Sequence, residues 1–570
     1  MAKMYDELRA VWRDLTAPGA PFEITEVEVR GLRLRAFKNA APSLRHFWLG
    51  SAPHGDKDYL VYRNERWTYA DAHREVASVA AWLAAHGVRP GDRVAIAMRN
   101  YPEWMLAYWA TVSMGATVVG MNAWWTGPEL LYGLQDSRPK VLIADQQRLD
   151  TYLAHRAEAP DMLLVGVRLE RERPAGLFEW SELRGTKPAL PEVEIDPDSD
   201  ACIFYTSGTT GKPKGAQLTH RGCTNNNMSV AFGSLCLLAA ARRVNPPAED
   251  ASAGAPRPLS ALVVTPLFHV TANNCVAHAA TLAGGKLVLM HKWEPGEALA
   301  LIERERITNL SGVPVMAREL IAHPDFERHD TSSLAALGGG GAPLQPDLVE
   351  KIDKTVKTAR PSTGYGMTET CGIITANSAD FFVDKPASAG PVMPDYEAKC
   401  VDDRGRDLPP GQVGELWVRG AQVIAGYLNR PDATAETITD GWLHTGDIAR
   451  IDEDGFVFIV DRAKDMVLRG GENVYCAEVE TALFEHDAVA ECAAFGVPDT
   501  RLGEEVAAAV VVRPGRSVTP DELRAHCAGR LAKYKIPRYI WLRRDALPRN
   551  ANGKFLKRQL RDEIDLSAAG

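Results

Sequence analysis

One string concentrates groups able to hold an anion: Tyr205-Thr206-Ser207-Gly208-Thr209-Thr210-Gly211-Lys212-Pro213-Lys214-Gly215. Gly208, Gly211 and Gly215 allow backbone amides to approach a ligand closely. The hydroxyls of Thr206, Ser207, Thr209 and Thr210 can donate to phosphate oxygens, and Lys212 and Lys214 supply positive charge. Such a loop suits a polyphosphate. It is not a Walker A loop, which needs G-x-x-x-x-G-K-[ST]. Only two residues separate Gly208 from Gly211, and Pro213 stands where that pattern has a hydroxyl. Composition alone also allows a plain Gly/Ser/Thr hairpin.

Further along, Tyr365-Gly366-Met367-Thr368-Glu369 offers an aromatic face, a hydroxyl and a carboxylate within five residues. A carboxylate beside phosphates is a usual way to hold a hard cation, although a lone Thr-Glu pair is equally a helix cap. Asp447 follows Thr445-Gly446 in a turn-like setting and can accept from two vicinal hydroxyls; a Gly-Asp pair is also an ordinary turn. Lys554 follows Asn552-Gly553 in a glycine-bearing loop, His269 closes the run Thr265-Pro266-Leu267-Phe268-His269, and Gly338-Gly339-Gly340-Gly341-Ala342-Pro343 could lie against a flat ring or be a linker.

These residues must be positioned by a large fold. The chain has 570 residues, 45% hydrophobic and 24% charged, with a net charge of −9. That is an ordinary globular composition and argues against a nucleic-acid coat. The cysteines are single, with no C-x-x-C, so neither a zinc nor a thioredoxin motif begins anywhere. The first residues have no apolar signal core, and a cytoplasmic, reduced protein is the expectation. Apolar runs such as Arg93–Met98, Lys140–Ala144, Leu262–Val264 and Lys286–Met290 read as strands, alternating with helices at Ala70–His86 and Pro295–Arg306. This rhythm implies βαβ units and largely parallel sheets. The charge-free stretch 105–125 is long enough to cross a bilayer. It reads better as a helix near Trp104–Met114 and a strand near Thr117–Met121. Residues 240–258 read as a surface loop. From Gly414 the texture turns β-rich, and a compact last region begins close to 461–464.

In order, the string 205–215, Gly364–Glu369, Trp442-Leu443-His444-Thr445-Gly446-Asp447, Asp461-Arg462-Ala463-Lys464-Asp465 and Asn552-Gly553-Lys554 closely resemble the signatures of the adenylate-forming superfamily, in its acyl-CoA synthetase branch. The resemblance covers roughly 67–560. It implies an α/β fold: a large N-terminal adenylation domain (1–461) of parallel and mixed sheets with flanking helices and a β-barrel-like subdomain, then a small mobile α+β domain (462–570). It also implies an acid–thiol ligase using ATP, coenzyme A and Mg²⁺.

By that resemblance the nucleotide is held by Thr206, Ser207, Gly208, Thr209, Thr210, Gly211 and Lys214, with Gly341, Ala342, Pro343, Tyr365, Gly366 and Met367 around the adenine. Thr368 approaches the α-phosphate, and Glu369 holds the metal. Asp447 and Arg462 take the ribose, Lys554 enters during adenylation, and Lys464 is the hinge. His269, Asn273, Val313 and Gly340 border the acyl group and the thiol path, and Gly470 and Gly471 let pantetheine pass. Leu468 departs from the lysine often found there in coumarate ligases and luciferase. The acyl segments carry few charges, so a medium- or long-chain fatty acid is expected. An arylalkanoic or steroid side-chain acid, or transfer to a carrier-protein thiol, stays open. No nucleic-acid partner and no transmembrane segment is expected, peripheral membrane contact is left open, and the assembly is a monomer or homodimer.

Overall fold

The computed structural model describes residues 2–171, 174–185, 189–206, 212–245, 258–342, 344–470, 472–550 and 554–564. They form two compact units: residues 1–397 with 418–443, and residues 398–417 with 444–570.

The larger unit is built on two extended sheets. In the first, strands Lys214–Thr219, Asp200–Thr206, Thr117–Gly120, Arg93–Ala97, Val141–Asp145, Leu163–Val167 and Leu177–Glu179 lie side by side in that order. All neighbours are parallel except the edge pair 200–206 with 214–219. The second runs Gly372–Ser378, Arg360–Met367, Ala336–Gly340, Asn309–Gly312, Ser260–Val263, Lys286–Leu289, Asp58–Tyr62 and Glu65–Thr68. Its interior is parallel and its two edges are antiparallel hairpins. Parallel strands are covered on both faces, which is why Arg93–Met98 and Lys286–Met290 read as unbroken apolar runs.

Helix Pro102–Ser113 is buried along its whole length. Trp104 and Trp109 join Val94, Ile96 and Val118 of the first sheet and Leu60, Ala261 and Leu287 of the second in one core. The helix ends at Met114, Gly115 turns the chain with φ +75°, and strand Thr117–Gly120 follows. The charge-free stretch is therefore an interior helix–strand unit. Among the described residues no helix is long and apolar enough to cross a membrane. Helix Tyr69–Ala85 starts where Thr68 and Asp71 form a reciprocal capping box.

The expected loop at 240–258 needs correction at its start. Helix His220–Val244 continues to Val244, with Ala240 and Ala241 buried. Residues 246–257 lie outside the described residues.

In the smaller unit, strands Glu472–Val474, Val467–Arg469, Gly503–Val512 and Val489–Asp499 form a sheet, and Tyr539–Arg543 pairs in parallel with 503–512. Helices Cys476–Phe484, Pro520–Ala528 and Lys557–Glu563 flank it. Strand 503–512 packs Val506, Ala508 and Val510 into one core and Ala507, Ala509 and Val511 into another. Both faces are covered, so this run too lacks polar alternation. A second hairpin pairs residues 447–451 with 457–462.

Candidate active site

The anion-loop string links the two strands of an antiparallel pair. Ala201–Phe204 are buried, strand Asp200–Thr206 runs outward, and strand Lys214–Thr219 returns with Thr206 opposite Lys214. A strand follows the loop where a Walker loop would open a helix. Ser207, Gly208, Thr209, Thr210 and Gly211 lie outside the described residues. The flanks of this string are fixed. Tyr205 OH donates to Asp136 Oδ2 at 2.8 Å, and Tyr132 OH donates to the Pro213 carbonyl at 3.0 Å. Lys212 is exposed, with its ammonium 5.2 Å from the Tyr132 ring centroid. The Lys214 ammonium sits 4.1 Å from the Tyr427 ring centroid.

Tyr427 also reaches the second sheet, where strand Arg360–Met367 ends in the short 3₁₀ turn Thr368–Thr370. Its hydroxyl donates to Glu369 Oε1 at 2.8 Å, and the Ile424 amide donates to the Glu369 carbonyl at 3.0 Å. Burial and the Glu369 charge push the Tyr427 phenol far above its ordinary range, so it remains a donor. Tyr365, Gly366, Met367, Thr368 and Glu369 are half-buried.

Behind this turn the backbone bends sharply: Cys371 has φ +55° and Gly372 +151°. Two buried asparagines hold the bend. Asn274 Nδ2 donates to the Cys371 carbonyl at 2.8 Å, and the Ile373 amide donates to Asn226 Oδ1 at 2.9 Å. A Cβ at 372 would lie 2.1 Å from Asn226 Oδ1, so only glycine fits.

The glycine run 338–340 is the end of strand Ala336–Gly340, an interior strand of the second sheet. A Cβ on Gly338 would meet the Ser362 carbonyl oxygen at 1.8 Å, and one on Gly339 the Gly312 oxygen at 1.6 Å. These glycines thus serve close strand packing. Gly341 turns with φ +81° and is exposed, Ala342 is half-buried, and Pro343 lies outside the described residues.

His269 is half-buried just beyond strand Ser260–Val263, and its ring is 4.6 Å from that of Phe268. Phe268 meets Trp124 edge-on at 5.4 Å. A seven-residue π-helix, Thr271–Ala277, follows, a form that often marks functional segments. Val313 is buried at the start of helix Pro314–Ala322. Asn273, expected at the acyl pocket, is completely buried, and its amide donates to Asn274 Oδ1 at 2.8 Å. Its amide nitrogen is spent inside the π-helix, while its Oδ1 is buried without a hydrogen-bond partner among the described residues.

In the smaller unit Asp447 and Arg462 stand opposite each other in the hairpin, Arg462 Nε 3.3 Å from Asp447 Oδ1. The Asp447 carboxylate is buried and the guanidinium is about half as exposed as it could be, at 40%. Asp461, next to Arg462, accepts from the amides of Arg462 and Cys476, and burial raises its pKa to about 6. Lys464 is exposed two residues on. Lys554 is half-buried, and its loop is closed by Asn550: Lys554 N donates to Asn550 Oδ1 at 3.0 Å, and Asn550 N to the Lys554 carbonyl at 2.9 Å. Gly470 turns with φ +60°, while Gly471 lies outside the described residues.

Sequence reasoning missed Tyr427, Asn226 and Asn274. Tyr427 sits in Gly426-Tyr427-Leu428-Asn429-Arg430-Pro431, which reads only as a turn. Asn226 lies in the polar run Thr224-Asn225-Asn226-Asn227 and Asn274 in the π-helix, and their partners are far away in sequence.

The family model described as AMP-binding enzyme matches residues 47–428, and that described as AMP-binding enzyme C-terminal domain matches 478–554. The chain belongs to the AMP-binding enzyme family. It is an AMP-forming acid–thiol ligase of the acyl-CoA synthetase branch. It is 39% identical over 498 residues to a feruloyl-CoA synthase of Amycolatopsis sp, covering 87% of this chain and 93% of that protein. It is 32% identical over 535 residues to a long-chain-fatty-acid–CoA ligase of Bacillus subtilis (strain 168), covering 89% and 92%. Among solved structures, o-succinylbenzoate CoA synthetase from Bacillus subtilis, in complex with an acyl-adenylate intermediate, matches with a TM-score of 0.75 and 31% identity, covering 91% of this chain and 98% of that one. The mixed α/β architecture with a large sheet-based part and a smaller C-terminal one is that of these adenylate-forming enzymes.

Proposed function

We propose that this ligase activates a hydrophobic monocarboxylic acid, a medium- or long-chain fatty acid, through an acyl-adenylate to its coenzyme A thioester. One observation supports a single carboxylate on the acid. Segments 264–274, 311–316 and 338–342 leave the carboxyl ends of three neighbouring parallel strands, 260–263, 309–312 and 336–340. Ligands of open parallel sheets bind at such ends. These segments contain no lysine and no arginine to pair a second carboxylate.

In the first step a substrate carboxylate oxygen attacks the α-phosphorus of ATP. The bond to the bridging oxygen breaks, and pyrophosphate leaves. Catalysis of this type is positioning plus charge neutralisation. The string 206–214 takes the phosphates, Tyr365 lies on the adenine, Thr368 faces the α-phosphate, and Lys554 neutralises charge as it develops. A half-buried Glu369 carboxylate, aimed by Tyr427, is the type of oxygen ligand Mg²⁺ takes alongside phosphates and water. Bound there, Mg²⁺ would neutralise triphosphate charge. Asp447 accepts from the ribose hydroxyls, with Arg462 beside it. In the second step the coenzyme A sulfur attacks the acyl carbon, AMP leaves, and the thiol proton passes to solvent. His269 borders that carbon, and Gly470 and Gly471 leave room for pantetheine. Lys464 is the hinge about which residues 462–570 turn, since Lys554 and the incoming thiol need the same space.

A second reading, an aromatic acid, is favoured by the edge-on Trp124–Phe268 pair beside His269 and by the feruloyl-CoA synthase among the relatives. Coenzyme-A-dependent AMP release separates the two when measured with decanoate, palmitate, ferulate and a dicarboxylate. The fatty-acid reading requires decanoate or palmitate to exceed ferulate in kcat/KM. A higher value for ferulate overturns it, and turnover only with a carrier protein in place of coenzyme A overturns the acceptor.

A further inference from the structure

We propose that Tyr427 is a positioning residue that sets the metal carboxylate and the anion-loop lysine at one fixed spacing. The proposal rests on the reading of Glu369 as the Mg²⁺ ligand. Its geometric basis is a short segment, 424–428, that binds both sheets of the larger unit. Along the outer edge of the first sheet, Gln217 N donates to the Gly426 carbonyl at 2.9 Å, Ala425 N to the Gln217 carbonyl at 2.9 Å, and Leu428 N to the Gly215 carbonyl at 2.8 Å. Toward the second sheet, Ile424 N donates to the Glu369 carbonyl at 3.0 Å. The segment is pinned once more where Tyr427 N donates to Thr434 Oγ1 at 2.9 Å.

From this scaffold one side chain does two separable things. The hydroxyl of Tyr427 donates to Glu369 Oε1 at 2.8 Å and thereby fixes which carboxylate oxygen faces away, open to a cation. The ring carries the Lys214 ammonium 4.1 Å from its centroid, within cation–π range. Tyr427 is only 5% exposed, so neither contact competes freely with water. A lysine and a carboxylate that both address one triphosphate are thus held by one rigid side chain, the lysine over its ring face and the carboxylate at its hydroxyl.

The two contacts are separated by substitution and read by binding. Nucleotide affinity is measured calorimetrically with Mg²⁺ and with excess EDTA for the wild type, Tyr427→Phe, Tyr427→Leu and Glu369→Gln, with thermal unfolding of each as the folding control. Tyr427→Phe is expected to lose roughly 10-fold of the Mg²⁺-dependent tightening, the scale of a hydrogen bond to a charged group, with its EDTA affinity unchanged. Tyr427→Leu is expected to lose the same factor and also to bind several-fold more weakly in EDTA, because Lys214 loses its platform. A Tyr427→Phe protein with the wild-type ratio, while Glu369→Gln loses it, overturns the role of Tyr427 and leaves Glu369 standing. A Glu369→Gln protein with the wild-type ratio overturns the metal-ligand reading and the proposal with it.

Discussion

At the scale of single residues, buried polar groups hold the site in shape, and their cost is measurable. Asp395 is completely buried; Ser229 Oγ donates to its Oδ1 at 2.8 Å, and Gln422 Nε2 donates to Oδ2. Desolvation outweighs these bonds and raises its pKa to about 6. The folded state therefore keeps a proton that the unfolded chain releases near pH 4. Stability falls as pH rises from about 4 to 6, and the full penalty, about 3 kcal/mol at most, is present above that window. Asp395→Asn removes the charge, and the unpartnered Gln422 Oε1 can turn to accept from the new amide. Denaturant midpoints at pH 4.5 and 7.5 should show the variant gaining on the wild type mainly at the higher pH. An equal difference at both values would count against a charged Asp395. Little of this was legible. Asp395 and the asparagines 226, 273 and 274 have no sequence pattern that announces burial, because their partners come from distant elements. Residues marked by unusual local composition, such as the Thr/Ser/Gly/Lys string, Asp447 and Lys554, could be singled out from the chain.

At the scale of elements, the parallel strands were readable because burial on both faces leaves nothing but apolar residues along them. The glycine strand Ala336–Gly340 was not, since residues without side chains show no period. Its chemistry is steric: a Cβ at 339 would lie 1.6 Å from the Gly312 carbonyl oxygen, so one strand must move. Gly339→Ala is expected to lower the thermal midpoint by several degrees or to abolish soluble folded protein, read by circular dichroism. A wild-type midpoint would mean the two strands separate easily. Helix His220–Val244 outran its apparent end because Ala240 and Ala241 look like loop composition yet pack inward. The turn after Arg462 belongs to the same scale. If Lys464 is the hinge, Lys464→Pro, which fixes φ near −65°, leaves acid-dependent pyrophosphate exchange within a few-fold of wild type and lowers thioester formation by at least about 100-fold. Equal loss of both half-reactions contradicts the hinge.

At the scale of the whole chain, the ordered motifs carried the family and the α/β class, because five of them recur in one order over most of the length. The acid did not follow from them. Substrate choice depends on the volume and shape left between strand ends, which no local pattern encodes, and relatives with similar identity act on different acids by their names. The β-rich texture from Gly414 marked where strands Gly414–Gly420, Trp442–Ile451 and Phe456–Arg462 begin to dominate. The order in which the chain contributes 398–417 and 444–570 to the smaller unit was not visible in composition. What unites the scales is the claim that the string 206–214 grips ATP while Lys554 attends the reacting carboxyl. Exchange of labelled pyrophosphate into ATP tests it most directly, run with and without acid in the wild type and in Lys554→Ala, beside thioester formation from supplied acyl-adenylate. The account predicts acid-dependent exchange that falls at least about 100-fold in the variant, with the second half-reaction largely retained. Exchange independent of acid, or a variant that exchanges at the wild-type rate, would contradict it.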